Sequence, residues 1–153
     1  MISPVDLLNA LVGTFQKIPE LVAVLSDGTN SIVPYIDING LKNSVAKARY
    51  QIPAGSLLVV YTGFKLAPVG ATIEAWKHAV IISLKAKKGE SELALIPLLM
   101  NGIPVPGDGL RWHYCPVLTG LLPTEVGSGD RLTDEEGIDY WVVSTSTQET
   151  GDT

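Results

Sequence analysis

DEEGIDYWVVSTSTQE, residues 134–149, is the stretch around which the chain is organised. Three acids and a glycine lead into Ile138, Tyr140, Trp141, Val142, Val143, Thr145 and Thr147. Aromatic and β-branched residues suit a pleated, half-buried surface, so the segment predicts a strand. The Ser/Thr alternation after Val143 suggests that one of its faces is wet. With only Thr150 to Thr153 after it, the strand is expected to join a sheet built by earlier segments. Asp134, Glu135 and Glu136 read as a solvated turn before it. Carboxylates that share acid/base work need differently tuned surroundings, and three in a row before glycine do not have them.

Working outward, 153 residues fit one domain, expected to span 1–153. Hydrophobic residues make up 46% and charged residues 18%, which is apolar for a soluble monomer. The excess belongs either at subunit interfaces or in a β-rich core. A net charge of −5 argues against broad binding to phosphate backbones, where Lys and Arg supply most of the affinity. The single cysteine, Cys115, excludes an intramolecular disulfide and favours a reducing compartment. The N-terminus carries an early acid and no basic stretch, unlike a signal peptide. No apolar run approaches the roughly 20 residues that a membrane-spanning helix needs.

Ser3-Pro4 reads as an N-cap and first helical residue, with Asp6 in the first turn. Leu7, Leu8, Leu11, Val12, Phe15 and Ile18 then recur at helical spacing until Pro19. Residues 21–25 are apolar without an assignable period, and residues 27–30 form a turn. Ile32–Ile38 predicts a strand, with Pro34 pointing to a sheet edge. Asn39 can cap a short helix carrying Lys42, Lys47 and Arg49 on its polar surface. Ser56–Phe64 predicts a central strand and residues 65–71 a loop. Glu74–Ala86 predicts a long strand, with Val80, Ile82 and Leu84 sharing a face. A solvated turn is expected at Lys85–Gly89. A helix beginning late enough to hold Pro97 in its first turn ends near Gly102. Residues 103–131 hold repeated prolines and glycines, and are expected to form an extended arm with a short strand around Leu110–Cys115. With Ile138–Thr147 the count is four strands and two or three helices. Most connections look too short for parallel crossovers. The expected fold is α+β: a mostly antiparallel four-stranded sheet, helices packed on one face, and a long Pro/Gly-rich arm.

No catalytic, cofactor-binding or metal site is expected. His78 and His113 lie in different elements, and His113-Tyr114-Cys115 lacks a second ligand pair for zinc. His113 and Cys115, two apart, can share a strand face, and the plainer reading is a half-buried residue and a structural thiol. Residues 106–109 and 127–130 read as turns, and neither follows a strand and opens a helix as a phosphate loop does. Lys85, Lys87 and Lys88 read as a hairpin tip.

The chain resembles the tail terminator (tail completion) family of long-tailed bacteriophages over nearly its whole length. The resemblance is carried by Tyr35-Ile36-Asp37 at a strand end and by Ile52-Pro53-Ala54-Gly55-Ser56 leading into an apolar strand. Trp76-Lys77-His78 opens the next strand, and Asp134-Glu135-Glu136-Gly137-Ile138-Asp139-Tyr140-Trp141 closes the set. It implies a structural virion protein, assembled in the host cytoplasm, with no enzymatic activity or cofactor. Its expected form is a ring, typically a hexamer, that terminates the tail tube and joins it to head connector or neck proteins. DNA would pass through the lumen without specific binding, in keeping with a net acidic chain. A closed ring brings two different patches of each subunit together. The basic residues Lys42, Lys47 and Arg49 and the acidic turn Asp134, Glu135 and Glu136 are the candidate complements. The alternatives are a head-side neck or minor capsid protein, and, further off, a small single-stranded nucleic-acid-binding domain, for which Tyr50 beside Arg49 is a candidate aromatic–basic pair.

Overall fold

The computed structural model describes residues 1–35, 54–85, 113–114, 118, 120–122, 124–133 and 139–151. The expected helix after Asn39, the helix holding Pro97 and the turn 86–89 lie outside the described residues. Two α-helices, α1 (Pro4–Gln16) and α2 (Pro19–Ala23), are followed by a 3₁₀ turn over Gly28–Ser31. Six strands follow: β1 (Ile32–Tyr35), β2 (Ser56–Pro68), β3 (Glu74–Lys85), β4 (His113–Tyr114), β5 (Thr124–Thr133) and β6 (Asp139–Gln148). They form one open mixed sheet in the order β1-β2-β3-β6-β5-β4, in which β4 is only a two-residue pairing. The fold is therefore α+β, with few helices.

α1 forms because its apolar residues repeat at one face's spacing. Leu7, Leu8, Leu11 and Phe15 are wholly buried, each contributing about 1.5–3 kcal/mol relative to exposure. Pro4 occupies the first turn, and the Ser3 carbonyl accepts the Leu7 N–H at 3.1 Å. The Ser3 hydroxyl makes no capping bond, contrary to the role expected of it. Pro19 ends the first helical run and opens the second.

Cross-strand partners share a face, so the register fixes what α1 covers. Leu57↔Leu84, Val59↔Ile82 and Tyr61↔Val80 pair between β2 and β3, and Ile82↔Val143 continues onto β6. These residues and α1 form the core. The other face carries Val60, Ser83, Lys85 and Tyr140, also buried.

Four sequence expectations need correction. First, the sheet has six strands instead of four; it is mostly antiparallel as expected, with one parallel pairing, β1 with β2, for which residues 36–55 leave ample chain for a crossover. The place of β1 at the sheet edge agrees with Pro34. Second, β2 runs through Pro68, so the first part of the loop expected at 65–71 is strand and only 69–71 lies outside it. Third, Thr124–Thr133 is a strand inside the segment read as an arm. Its Gly127-Ser128 pair faces the single residue Ser144 in a bulge, so glycines that read as a turn widen a strand instead. Ser128 N–H donates to Ser144 Oγ at 3.0 Å, and Ser144 Oγ donates to the Ser128 carbonyl at 3.2 Å. Fourth, Lys85 closes β3 as a buried residue, not as part of a solvated turn.

Candidate functional site

A second bulge shapes the β2–β3 hairpin. The register passes from Tyr61↔Val80 to Gly63↔Ala79, so Thr62 is extra. A one-residue shift moves the following side chains to the other face. Phe64 is thereby set opposite His78, and Leu66 opposite Trp76, on the face that carries α1. Phe64 and Trp76 meet edge to face, with centroids 5.4 Å apart.

Beneath this hairpin lies a chain of polar contacts. His78 is fully buried. Its Nδ1 lies 2.6 Å from the Tyr61 hydroxyl, and its Nε2 lies 2.9 Å from Glu149 Oε2. Glu149 Oε1 accepts the Ile2 N–H at 3.2 Å. A carboxylate at 149 accepts from both sides, so His78 donates through Nε2 and its Nδ1 accepts from Tyr61 O–H. That is the one assignment in which every donor has an acceptor. Next to it, Thr147 shares a 2.5 Å hydroxyl contact with Thr124, and Thr145 Oγ1 donates to the Val80 carbonyl at 2.9 Å. The one wet face expected of β6 is the one that carries Ser144, which is exposed, and Ser146; Thr145 and Thr147 lie on the opposite, buried face with their hydroxyls bonded.

The order hydroxyl–imidazole–carboxylate is also that of a nucleophile, a base and its orienting group. A nucleophile in that position is activated by a lowered pKa or an adjacent base. Burial, and secondarily the Glu149 charge, push the Tyr61 hydroxyl from its ordinary 10.0 up to about 12, away from an activated oxygen. The chain ties β2, β3, Glu149 of the C-terminal segment and Ile2 of the N-terminal segment into one unit.

The shift has a sign that can be measured. Because the folded-state value lies above the unfolded one, the neutral phenol stabilises the fold fully below pH 10. That contribution is lost as pH rises from about 10 through 12, amounting to about 2–3 kcal/mol. Chemical unfolding from pH 9 to 12 is expected to show this loss in the wild type and a shallower one in Tyr61→Phe. Equal slopes in the two proteins would exclude it.

The hairpin, the N-terminal residues and the C-terminal segment enclose a groove of about 410 Å³, lined by Met1, Ile2, Leu66, Trp76, Gly120 and Glu149 among others. Gln148 Nε2 donates to the Ala67 carbonyl at 2.9 Å, and Leu122 N–H to the Gln148 carbonyl at 2.8 Å. Gly151 has φ +80°, and a Cβ there would lie 2.9 Å from Ile73 Cγ2, so glycine lets the chain pass over the hairpin. Met1, Phe64, Leu66, Ile73 and Leu122, five of the seven large apolar side chains most exposed among the described residues, meet at this end. Phe64, Leu66 and Ile73 are each more than half exposed.

The sequence candidates fare differently. Lys42, Lys47, Arg49, Asp134, Glu135 and Glu136 lie outside the described residues, as does Cys115. His78, weighed as a metal ligand, bonds Tyr61 and Glu149. Neither partner was singled out by the sequence, and among the described residues no group of three His, Cys, Asp or Glu is placed to hold a metal. No described helix is long and apolar enough to cross a membrane. Compared with known proteins, the chain matches no family model. It also matches no curated protein.

Proposed function

We propose that this protein is a structural subunit that assembles with copies of itself into a ring, in the manner of the phage tail terminators that its sequence resembles. The observation that carries this reading is the apolar hairpin end. Large exposed apolar patches mark surfaces that are covered in an assembly, and here Phe64, Leu66 and Ile73 stand on one projecting hairpin beside Met1 and Leu122. The α+β fold with an open mixed sheet is compatible with such a subunit, and the buried Tyr61–His78–Glu149 chain supports its stiffness. In this role the ring caps the finished tail tube and meets the head connector. A net charge of −5 favours DNA passing its lumen over DNA adhering to it.

Multi-angle light scattering of concentrated protein, and of protein mixed with purified tail tubes, tests the proposal. A closed oligomer is expected in at least one of the two conditions. Protein that stays strictly monomeric and leaves tubes unbound would refute it.

A further inference from the structure

The bulge at Thr62 that turns Phe64 and Leu66 toward α1 leaves a different surface on the opposite face of the sheet. There the register sets Gly63 against Ala79 and Lys65 against Lys77, and Ala79 against Ser146 of β6. Glycine and alanine keep the sheet surface low, and a Cβ on Gly63 would meet nothing within 4 Å. A groove of about 450 Å³ opens over them, with the two lysines on its hairpin side and Ser146 on β6.

Lysines directly opposite each other stand about 4.5–5.5 Å apart at Cβ, and like charges so placed repel. Lys65 is exposed and Lys77 half-buried, and among the described residues neither has an ion pair. The Ser146 hydroxyl likewise has no hydrogen bond among the described residues. Gln148, paired with Lys77, donates its side-chain N–H₂ to the Ala67 and Pro68 carbonyls at 2.9 and 3.3 Å, so it bounds the lysines toward the hairpin tip. Glu125, the acid closest to them in the register of this face, lies across from Ser146 and has a partner other than these lysines.

We infer that this groove binds a phosphate monoester, held between the Lys65 and Lys77 ammonium groups, with the Ser146 hydroxyl donating a further hydrogen bond. Charge count selects the ligand. Two ammonium groups match the roughly two negative charges of a monoester phosphate near neutral pH, whereas a carboxylate or a backbone phosphodiester brings one. Lysine holds phosphate as a point charge, not through a fixed fork, so two flexible side chains can close on one group. The bound anion then removes the repulsion between them. A single local site is in keeping with a net charge of −5, which opposes broad binding to nucleic-acid backbones. The site lies on the face away from Phe64 and Leu66, and it stands independently of the ring reading.

Methyl phosphate, dimethyl phosphate and acetate are the probes that test it, with the whole chain in low-salt buffer. A phosphorus NMR titration is expected to show saturable binding of methyl phosphate, weakening as salt screens the lysines. Dimethyl phosphate, and acetate read by competition, are expected to bind at least about tenfold more weakly. Replacing both lysines (Lys65→Gln with Lys77→Gln) is expected to lower the methyl phosphate affinity at least about tenfold, and Ser146→Ala about threefold. The melting temperature of the lysine variant should equal or exceed that of the wild type, because a repulsion is removed. Ala79→Leu fills the floor of the groove with every charge in place, and is expected to weaken binding as the lysine variant does. A wild-type protein without saturable binding would overturn the site. So would a lysine variant that binds methyl phosphate as the wild type does, since the anion would then sit elsewhere. Acetate or dimethyl phosphate binding as tightly as methyl phosphate would overturn the assignment to a monoester.

Discussion

Tyr140→Ala is expected to lower stability by about 3–5 kcal/mol, a large share of the 5–15 typical of a domain. Tyr140 is 1% exposed and sits at the start of β6, opposite Lys85 of β3. It lies on the face away from α1, so its loss would open a cavity that the helices cannot fill. Trp141, its neighbour, points to the α1 face beside Leu84 and is only half-buried. Its indole Nε1 is buried without a partner. An unmet donor opposes the burial that surrounds it, so Trp141→Phe should change stability by less than about 1 kcal/mol. Urea unfolding of the two variants checks the asymmetry. A Tyr140→Ala protein with the wild-type midpoint would mean that the second face of the sheet is not packed.

That asymmetry was half legible. Neighbouring strand residues alternate, so one of Tyr140 and Trp141 had to face a buried side. Both faces are in fact covered to different degrees, which a period of two cannot reveal. The elements read correctly are those whose periodicity is long. Leu7 to Phe15 repeats over most of α1, and Val80, Ile82 and Leu84 alternate along β3, all wholly buried. The parallel placement of β1 depends on where residues 36–55 return the chain, and no local pattern in Ile32–Tyr35 encodes that. β5 was hidden because Gly127-Ser128-Gly129-Asp130 has turn composition, whereas a bulge against Ser144 gives the same residues a place in a strand.

The polar chain was illegible for a related reason. Tyr61 and His78 are 17 residues apart, and His78 and Glu149 71 apart. Only the register, with Thr62 bulged out, brings them together. His78 drew notice as a histidine, and its partners were set by pairing, not by spacing. The exposed Leu66 of the hairpin was equally hidden, because it lay within a presumed loop.

His78→Leu is expected to cost about 3 kcal/mol, since it strands a Tyr61 hydroxyl that is 6% exposed and one oxygen of Glu149. Tyr61→Phe alone removes one donor and leaves Nδ1 of His78 unmet, costing about 1–2 kcal/mol. The informative measurement is the pair. In the His78→Leu background the Tyr61 hydroxyl has already lost its acceptor, so adding Tyr61→Phe should cost nothing or restore some stability. The coupling in the double-mutant cycle is then about 1–2 kcal/mol. Glu149→Gln acts from the other end. Either its amide N–H₂ faces the donor on His78 or the one on Ile2, or the imidazole shifts its proton to Nδ1, which reverses the Tyr61 bond and leaves the Tyr61 O–H without an acceptor. Its cost should therefore also shrink in the His78→Leu protein. Strictly additive costs in both cycles would mean that the three side chains act as separate packing groups, and the tie between the hairpin, the N-terminal residues and the C-terminal segment would have to be abandoned.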